Sequence, residues 1–271
     1  MPLSEHSAKQ TDLLTDHATL VRTIKGPAVR ATLARFSRFM RDPANLLMCR
    51  LGYHRQPNWR TQFVRHRAWP DDVRRRIGVL PSGFFTDYSL RPDTALFIYR
   101  WILRNRPASV LEYGCGISTV IIALALLKIS PRGSISFVSL ETDALWCGRT
   151  ADALSEMGLS SVVTLKLAPL IEVPYNGHRC QGPAVEGLQD LEAEMLFIDA
   201  PPAQIGRLGV LPALIHALAC PSQIFMDDAC RDAELRCIKA WTDSGLIRLD
   251  GFAPVGNGLA VATYESRRWR P

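Results

Sequence analysis

Carboxylates recur in this chain where short apolar runs stop. Glu112 lies near the end of 109–113, Glu141 follows 134–140, Asp199 follows 194–198, and the pair Asp227-Asp228 follows 223–226. Each run reads as a buried strand bounded by Gly, Pro or polar residues. In an open α/β sheet, ligands bind beyond the carboxyl ends of the strands, so these side chains are expected to share one edge. Carboxylates gathered in one place repel unless they accept hydrogen bonds or hold a cation. Such a group could take a proton from a substrate, bind a divalent ion or accept hydrogen bonds from sugar hydroxyls. Asp199 is the first choice for catalysis, followed by His178 and Asp227. His178 lies in a Pro- and Gly-rich connection over 168–191 and has a side chain suited to general-base work.

The second feature is the turn Gly114-Cys115-Gly116, between the run 109–113 and a long apolar stretch over 117–127. Without side chains at two of three positions, a ligand could lie against the backbone. The following helix, with Ser118 or Thr119 placed to cap it, would turn its free amines toward that ligand. The dinucleotide fingerprint requires a small third residue where this chain has Thr119, which argues against NAD or FAD. Glu141 follows Gly116 by 25 residues, close to the roughly 20-residue interval at which an acidic side chain meets a ribose.

Glu112-Tyr-Gly-Cys-Gly-Ile-Ser118 resembles motif I of the class I S-adenosylmethionine-dependent methyltransferases. The resemblance implies that Glu112, Gly114, Cys115, Gly116, Ser118 and Thr119 bind that cofactor. Glu141 and Thr142 would stand at its ribose, and Tyr88 and Ser89 in a loop folded over it. The implied reaction is methyl transfer to an unidentified acceptor, with oxygen the favoured atom. Asp199, Asp227 and Asp228 resemble the metal ligands of catechol-type O-methyltransferases, which implies Mg²⁺ or Ca²⁺. The chain departs from that group: Asp228 stands where Asn is usual, and the lysine expected soon after Asp199 is missing. Asp199-Ala-Pro-Pro202 also resembles the Asp-Pro-Pro-Tyr motif of amino-methyltransferases acting on nucleic-acid bases, but Ala203 replaces the stacking aromatic. A third resemblance, through Asp199-Ala-Pro-Pro, Gly206-Arg207, Leu211-Pro212-Ala and Asp227-Asp-Ala-Cys-Arg231, is to a loosely defined bacterial methyltransferase group of unassigned substrate.

Alternating strands and helices over roughly 80–265 predict an α/β, Rossmann-like seven-stranded sheet with helices on both faces. The runs 247–251 and 259–264 form its closing antiparallel hairpin. A helix is expected over 204–219 and another over 229–244. Residues 79–271 would form the cofactor-binding domain. Residues 1–78 would form a mainly helical basic extension, because 1–76 hold 15 Lys or Arg against 6 Asp or Glu and the remainder holds 17 against 20. Within the extension, Val29, Leu33, Phe36 and Met40 share one face of a helix over 28–40 whose other face is rich in arginine. That pattern permits peripheral contact with an anionic membrane or an acidic partner. Arginines and aromatics over 50–76, including Tyr53, Trp59 and Trp69, could stack bases, but no nucleic-acid module is legible and nucleic acid is not the expected partner. The acceptor could be a small molecule or a polymer.

The composition, 47% hydrophobic and 21% charged, is that of a globular chain. No apolar run approaches the roughly 20 residues of a transmembrane segment. Seven cysteines without a Cys-x-x-Cys spacing fit neither a disulfide framework nor a zinc site, and the expected location is cytoplasmic. A protein that keeps this fold without catalysis, using its basic extension on membrane or nucleic acid, is the alternative from a different class.

Overall fold

The structure, a computed structural model, describes residues 59–65, 68–86, 88–131 and 135–265. The helix expected over 28–40, together with Arg50, Tyr53, Arg55 and Arg67, lies outside the described residues. Among the described residues two short helices come first, α1 (Trp59–Arg65) and α2 (Asp71–Gly78), followed by α3 (Pro92–Asn105). The nucleotide-binding unit is β1 (Ser109–Tyr113), α4 (Ile117–Ile129), β2 (Ser136–Glu141), α5 (Ala144–Glu156) and β3 (Thr164–Leu167). Then come β4 (Leu170–Tyr175), β5 (His178–Pro183), β6 (Ala193–Ile198), α6 (Val210–Leu214), β7 (Leu218–Met226), α7 (Asp232–Asp243), β8 (Arg248–Ala253) and β9 (Leu259–Tyr264).

Seven strands form one sheet in the order β3-β2-β1-β6-β7-β9-β8. The first five are parallel, while β9 pairs antiparallel with both β7 and β8. The order reverses between β1 and β6, and such a switch point leaves a crevice at the carboxyl ends. Side chains alternate across the sheet as the two-residue strand period requires. Val110, Phe137, Met195, Phe197 and Phe225 enter one core cluster; Leu111, Leu140, Leu196, Ile198, Ile224 and Met226 enter the other.

Three expectations about elements change. The connection over 168–191 contains an antiparallel hairpin, β4 paired with β5 in a separate two-stranded sheet. Its turn is Asn176-Gly177, with both residues at positive φ, a pair suited to tight hairpins. The helix expected over 204–219 is only α6 plus a 3₁₀ turn, Ile215–Ala217. Gly206 and Gly209 delay its start, and the chain is already extended at Leu218. Strand β7 therefore begins earlier than expected, with a register shift between Ala193 and Met195 of the neighbouring β6. That irregularity accommodates Pro221, which has no N–H for a regular ladder.

Helix α4 explains the role of the segments before it. From Ile117 to Leu126 every side chain is buried, so the helix needs apolar cover on the side away from the sheet as well. Phe63, Trp69, Val73, Ile77 and Leu80 join α3 and α4 in a single cluster. Trp69 packs edge-on against Tyr99 at 5.5 Å between centroids. It is 2% exposed and is therefore not available to stack a base. Asp72 pairs with Lys128 of α4 at 3.2 Å, and Arg76 donates to the Met157 carbonyl beyond α5 at 3.1 Å. Residues 59–65 and 68–78, grouped with the basic extension by charge alone, thus pack into the core of the sheet domain.

A chain beginning at Val79 is expected to lose soluble expression or to bind hydrophobic dyes. It lacks four buried side chains, Phe63, Trp69, Val73 and Ile77, worth about 1.5–3 kcal/mol each. The matching point variant, Phe63→Ala, should cost about 3–5 kcal/mol in denaturant unfolding. Normal solubility and two-state unfolding of the shortened chain would show that this cover is dispensable.

Candidate active site

The glycine turn is built first by contacts within the protein. Gly114 has φ +104°, and a Cβ there would lie 2.9 Å from the Ala200 Cβ and 3.0 Å from the Ala200 nitrogen and the Asp199 carbonyl carbon. The residues that follow β6 press directly against Gly114 at the end of β1, which only glycine allows. Gly116 has φ +151°, and its missing side chain leaves room for the Trp146 indole, whose Nε1 would be 3.2 Å from a Cβ. Trp146 donates from Nε1 to the Cys115 carbonyl at 2.7 Å and stacks on Phe84 at 5.7 Å. The position a Cβ would take at these two glycines thus lies against Ala200 in one case and Trp146 in the other.

Gly116 is itself the N-cap of α4, so neither Ser118 nor Thr119 holds that position. Thr119 instead accepts the Gly116 N–H at 2.9 Å and donates to Glu112 Oε2 at 2.6 Å. Ser139 donates to the same oxygen at 2.6 Å. Glu112 is fully buried, and its Oε1 has no hydrogen-bond partner. Burial pushes its pKa up to about 7 against the pull of these hydroxyls. Ser118 makes a long contact, 3.4 Å, to the Gly114 carbonyl and is a third hydroxyl that pulls the Glu112 pKa down.

Glu141 closes β2 and clamps the turn. Its Oε2 accepts the Cys115 N–H at 3.0 Å, and its Oε1 accepts those of Thr142 and Asp143 at 2.7 and 2.9 Å. A carboxylate has about four acceptor positions, so one remains. Asp143 caps α5 by accepting from the Trp146 N–H at 3.0 Å. Thr142 shares a hydrogen bond with the Tyr113 hydroxyl at 2.8 Å. Tyr88 is 81% exposed, and Ser89 Oγ accepts the Thr86 N–H at 2.8 Å, a local loop contact.

Across the switch point, Asp199, Asp227 and Asp228 come together as expected, with one ligand atom of each within 4.8 Å of the others. Staggered main-chain bonds fix the strand ends: Asp199 N–H to Tyr113 O at 2.8 Å, and Asp227 N–H to Ile198 O at 3.0 Å. Asp228 adopts φ +56°, a left-handed conformation that Asp tolerates better than most residues. Its Oδ1 accepts from Asn257 Nδ2 and its Oδ2 from Arg231, both at 2.7 Å. Burial is the main cause of the raised pKa values of Asp199, about 7, and Asp227, well above the carboxylate range. Asp227 Oδ1 has no hydrogen-bond partner.

Two residues that carried no role in the sequence reading complete the cluster. Arg207, 2% exposed, reaches Asp199 Oδ1 at 3.3 Å and lies 3.9 Å from both Asp228 and Glu234. The same guanidinium donates to the carbonyls of Asp227 at 2.8 Å, Asp199 at 2.9 Å, Pro201 at 3.2 Å and Ile198 at 3.5 Å. Glu234, 1% exposed, is the other. The sequence signal for Arg207 is faint: it is the one charged residue between Asp199 and His216.

His178 is not brought to this cluster. It is exposed at the start of β5, opposite Tyr175 in the hairpin. It lines a cavity of about 390 Å³ with Tyr175, Asn176, Arg236 and Cys237, and none of the carboxylates lines that space.

No family model matches the chain, and no curated protein matches it. Sheet order and connections are those of the class I S-adenosylmethionine-dependent methyltransferase fold. Among solved structures, the chain is similar to cofactor-bound Rv0187 from MTB, at 17% identity and TM-score 0.55, covering 78% of this chain and all of that one. It is similar to an O-methyltransferase from Bacillus cereus in complex with SAH, at 15% identity and TM-score 0.54, over 75% of this chain and 96% of that one. A third is the O-methyltransferase TomG from Streptomyces achromogenes in complex with SAM, at 15% identity and TM-score 0.52, over 79% of this chain and all of that one. Among the described residues, no helix is long and apolar enough to cross a membrane.

Gly114→Ala should destabilise the protein by at least about 3 kcal/mol, because positive-φ strain adds to overlap with backbone atoms that cannot move aside. Gly116→Ala should cost less, since its nearest neighbour is a side chain. Equal unfolding midpoints for the two variants would contradict this ordering.

Proposed function

We propose that this protein transfers the methyl group of S-adenosylmethionine to an acceptor oxygen. The observation that carries the proposal is Glu112, a buried carboxylate at the switch point with one oxygen left without a partner. An ionised carboxylate kept there at the expense of stability fits a cationic ligand, and the methionine end of the cofactor carries an ammonium. Glu141 retains one acceptor position for a ribose hydroxyl. Its contact to the Cys115 N–H ties it to the glycine turn, and those to the Thr142 and Asp143 N–H groups fix the carboxylate itself. When bound, the cofactor supplies a methyl group already activated on a sulfonium, so the protein has to position the acceptor and accept its proton.

Asp199 is the best-placed base. It ends β6 beside the crevice, and its side chain is 15% exposed, so it can be reached by a substrate. A carboxyl with a pKa near 7 is well matched to taking a proton at neutral pH. Asp227 is more deeply buried and stands behind it. The resemblance to the O-methyltransferases of known structure supports oxygen as the acceptor atom, and the identity of the acceptor molecule is open to a substrate screen.

Calorimetry should detect S-adenosylhomocysteine binding by the full-length protein, and no binding would overturn the proposal. Glu112→Gln should weaken that binding about ten- to a hundredfold, the loss of a hydrogen bond to a charged group. The same variant should be more stable than wild type at pH 8. A carboxyl whose pKa rises on folding to about 7 from 4.5 costs nothing below its unfolded value, and its cost grows as pH rises to its folded value. The gain should reach up to about 3 kcal/mol at pH 8 and shrink toward pH 5. A variant that binds normally would remove Glu112 from the cofactor site.

Once an acceptor is found, transfer should rise with pH through about 7 as Asp199 ionises. Asp199→Asn should lower kcat by about 10²–10⁴ and flatten that profile. An unchanged profile in the variant would assign the proton to another group.

A further inference from the structure

The Asp199–Asp227–Asp228 cluster has the donor chemistry of a divalent-cation site, and its ligand atoms are close enough for one. The uncommitted Asp227 Oδ1 also suits an ion. The remaining geometry does not. Both oxygens of Asp228 are taken, one by Asn257 and one by Arg231. Asp199 Oδ1 is engaged by Arg207, whose same nitrogen, Nη2, lies 3.9 Å from Asp228. An ion within 2.0–2.6 Å of carboxylate oxygens, the usual range for Mg²⁺ and Ca²⁺, would be held against that guanidinium.

Arg207 has no room to withdraw. It is 2% exposed and donates to four main-chain carbonyls at the ends of β6 and β7. Moving it would take this donor from the carbonyls of Asp199, Pro201 and Asp227, leave Ile198 O with the Asp227 N–H alone, and remove the charge facing Glu234. Arginine suits the position because its planar fork serves several acceptors at once and keeps its charge when buried.

We infer that Arg207 supplies from within the chain the positive charge these carboxylates need, and that the cluster does not take a divalent cation. This deepens the methyl-transfer reading by making the site metal-independent, with Arg207 as a positioning residue for Asp199. The inference is tested by ion binding, so it can fail or stand separately from that reading. S-adenosylhomocysteine calorimetry on the same samples reports on cofactor binding alone.

The experiment titrates the full-length protein with Mn²⁺ and follows the free ion by electron paramagnetic resonance. Wild type should bind no Mn²⁺ with Kd below about 100 µM, weaker than a dedicated oxygen site of sensor grade. Arg207→Lys, which keeps the charge but not the fork, should behave likewise. Arg207→Met removes the charge and should gain Mn²⁺ binding that Asp227→Asn in the same background abolishes. A purely structural role for Arg207 would not produce that gain. If Arg207→Met does not fold, wild type and Asp227→Asn still decide the question. Stoichiometric Mn²⁺ binding to wild type below about 100 µM, lost in Asp227→Asn, overturns the inference. Weaker binding, or binding indifferent to Asp227, supports it.

Discussion

The guanidinium of Arg207 makes the carboxylate edge of this sheet tolerable. Four acidic side chains, Asp199, Asp227, Asp228 and Glu234, converge where water has little access, and isolated buried charges of one sign are costly. Buried Arg207 and half-exposed Arg231 both meet this charge, sharing Asp228 Oδ2 and Glu234 Oε1 between them. Because Arg207 also collects carbonyls from β6 and β7, strand geometry and electrostatics depend on the same group. Removing one partner of such a network is more damaging than never having built it.

A comparable economy governs the other half of the crevice. The glycine turn is fixed within the chain, by Ala200 against Gly114, Trp146 against Gly116 and Glu141 accepting the Cys115 N–H. Preorganisation of this kind spares the ligand the cost of ordering the loop. Glu112 is the exception to this internal satisfaction. Two hydroxyls hold one of its oxygens and the other accepts no hydrogen bond, an arrangement that costs stability when the group is ionised.

The rest of the fold serves this edge by keeping α4 dry. An all-apolar helix behind the glycine turn positions it rigidly, but needs two covers, the sheet on one side and α1 to α3 on the other. The segments just before the sheet are thus part of the architecture, tied in by Asp72–Lys128 and by Arg76.

The strand–helix alternation, the Gly114-Cys-Gly116 turn and the acidic residues at strand ends were legible in the sequence, because buried strands and tight turns leave local signatures in residue type and spacing. The seven-stranded sheet and the grouping of Asp199 with Asp227 and Asp228 follow from those signatures together with the rule that ligands sit at carboxyl ends. Other features depended on contacts between distant segments. The β4–β5 hairpin looked like a loop because its residues carry weak strand preference and a Pro at 174. Residues 59–78 looked like part of a basic arm, since net charge records what faces water and not what Phe63 or Trp69 packs against. Arg207 carried no role because its meaning lies in which carbonyls and carboxylates surround it. Only the folded chain, bringing the ends of β6 and β7 around one side chain, gives that arginine its function.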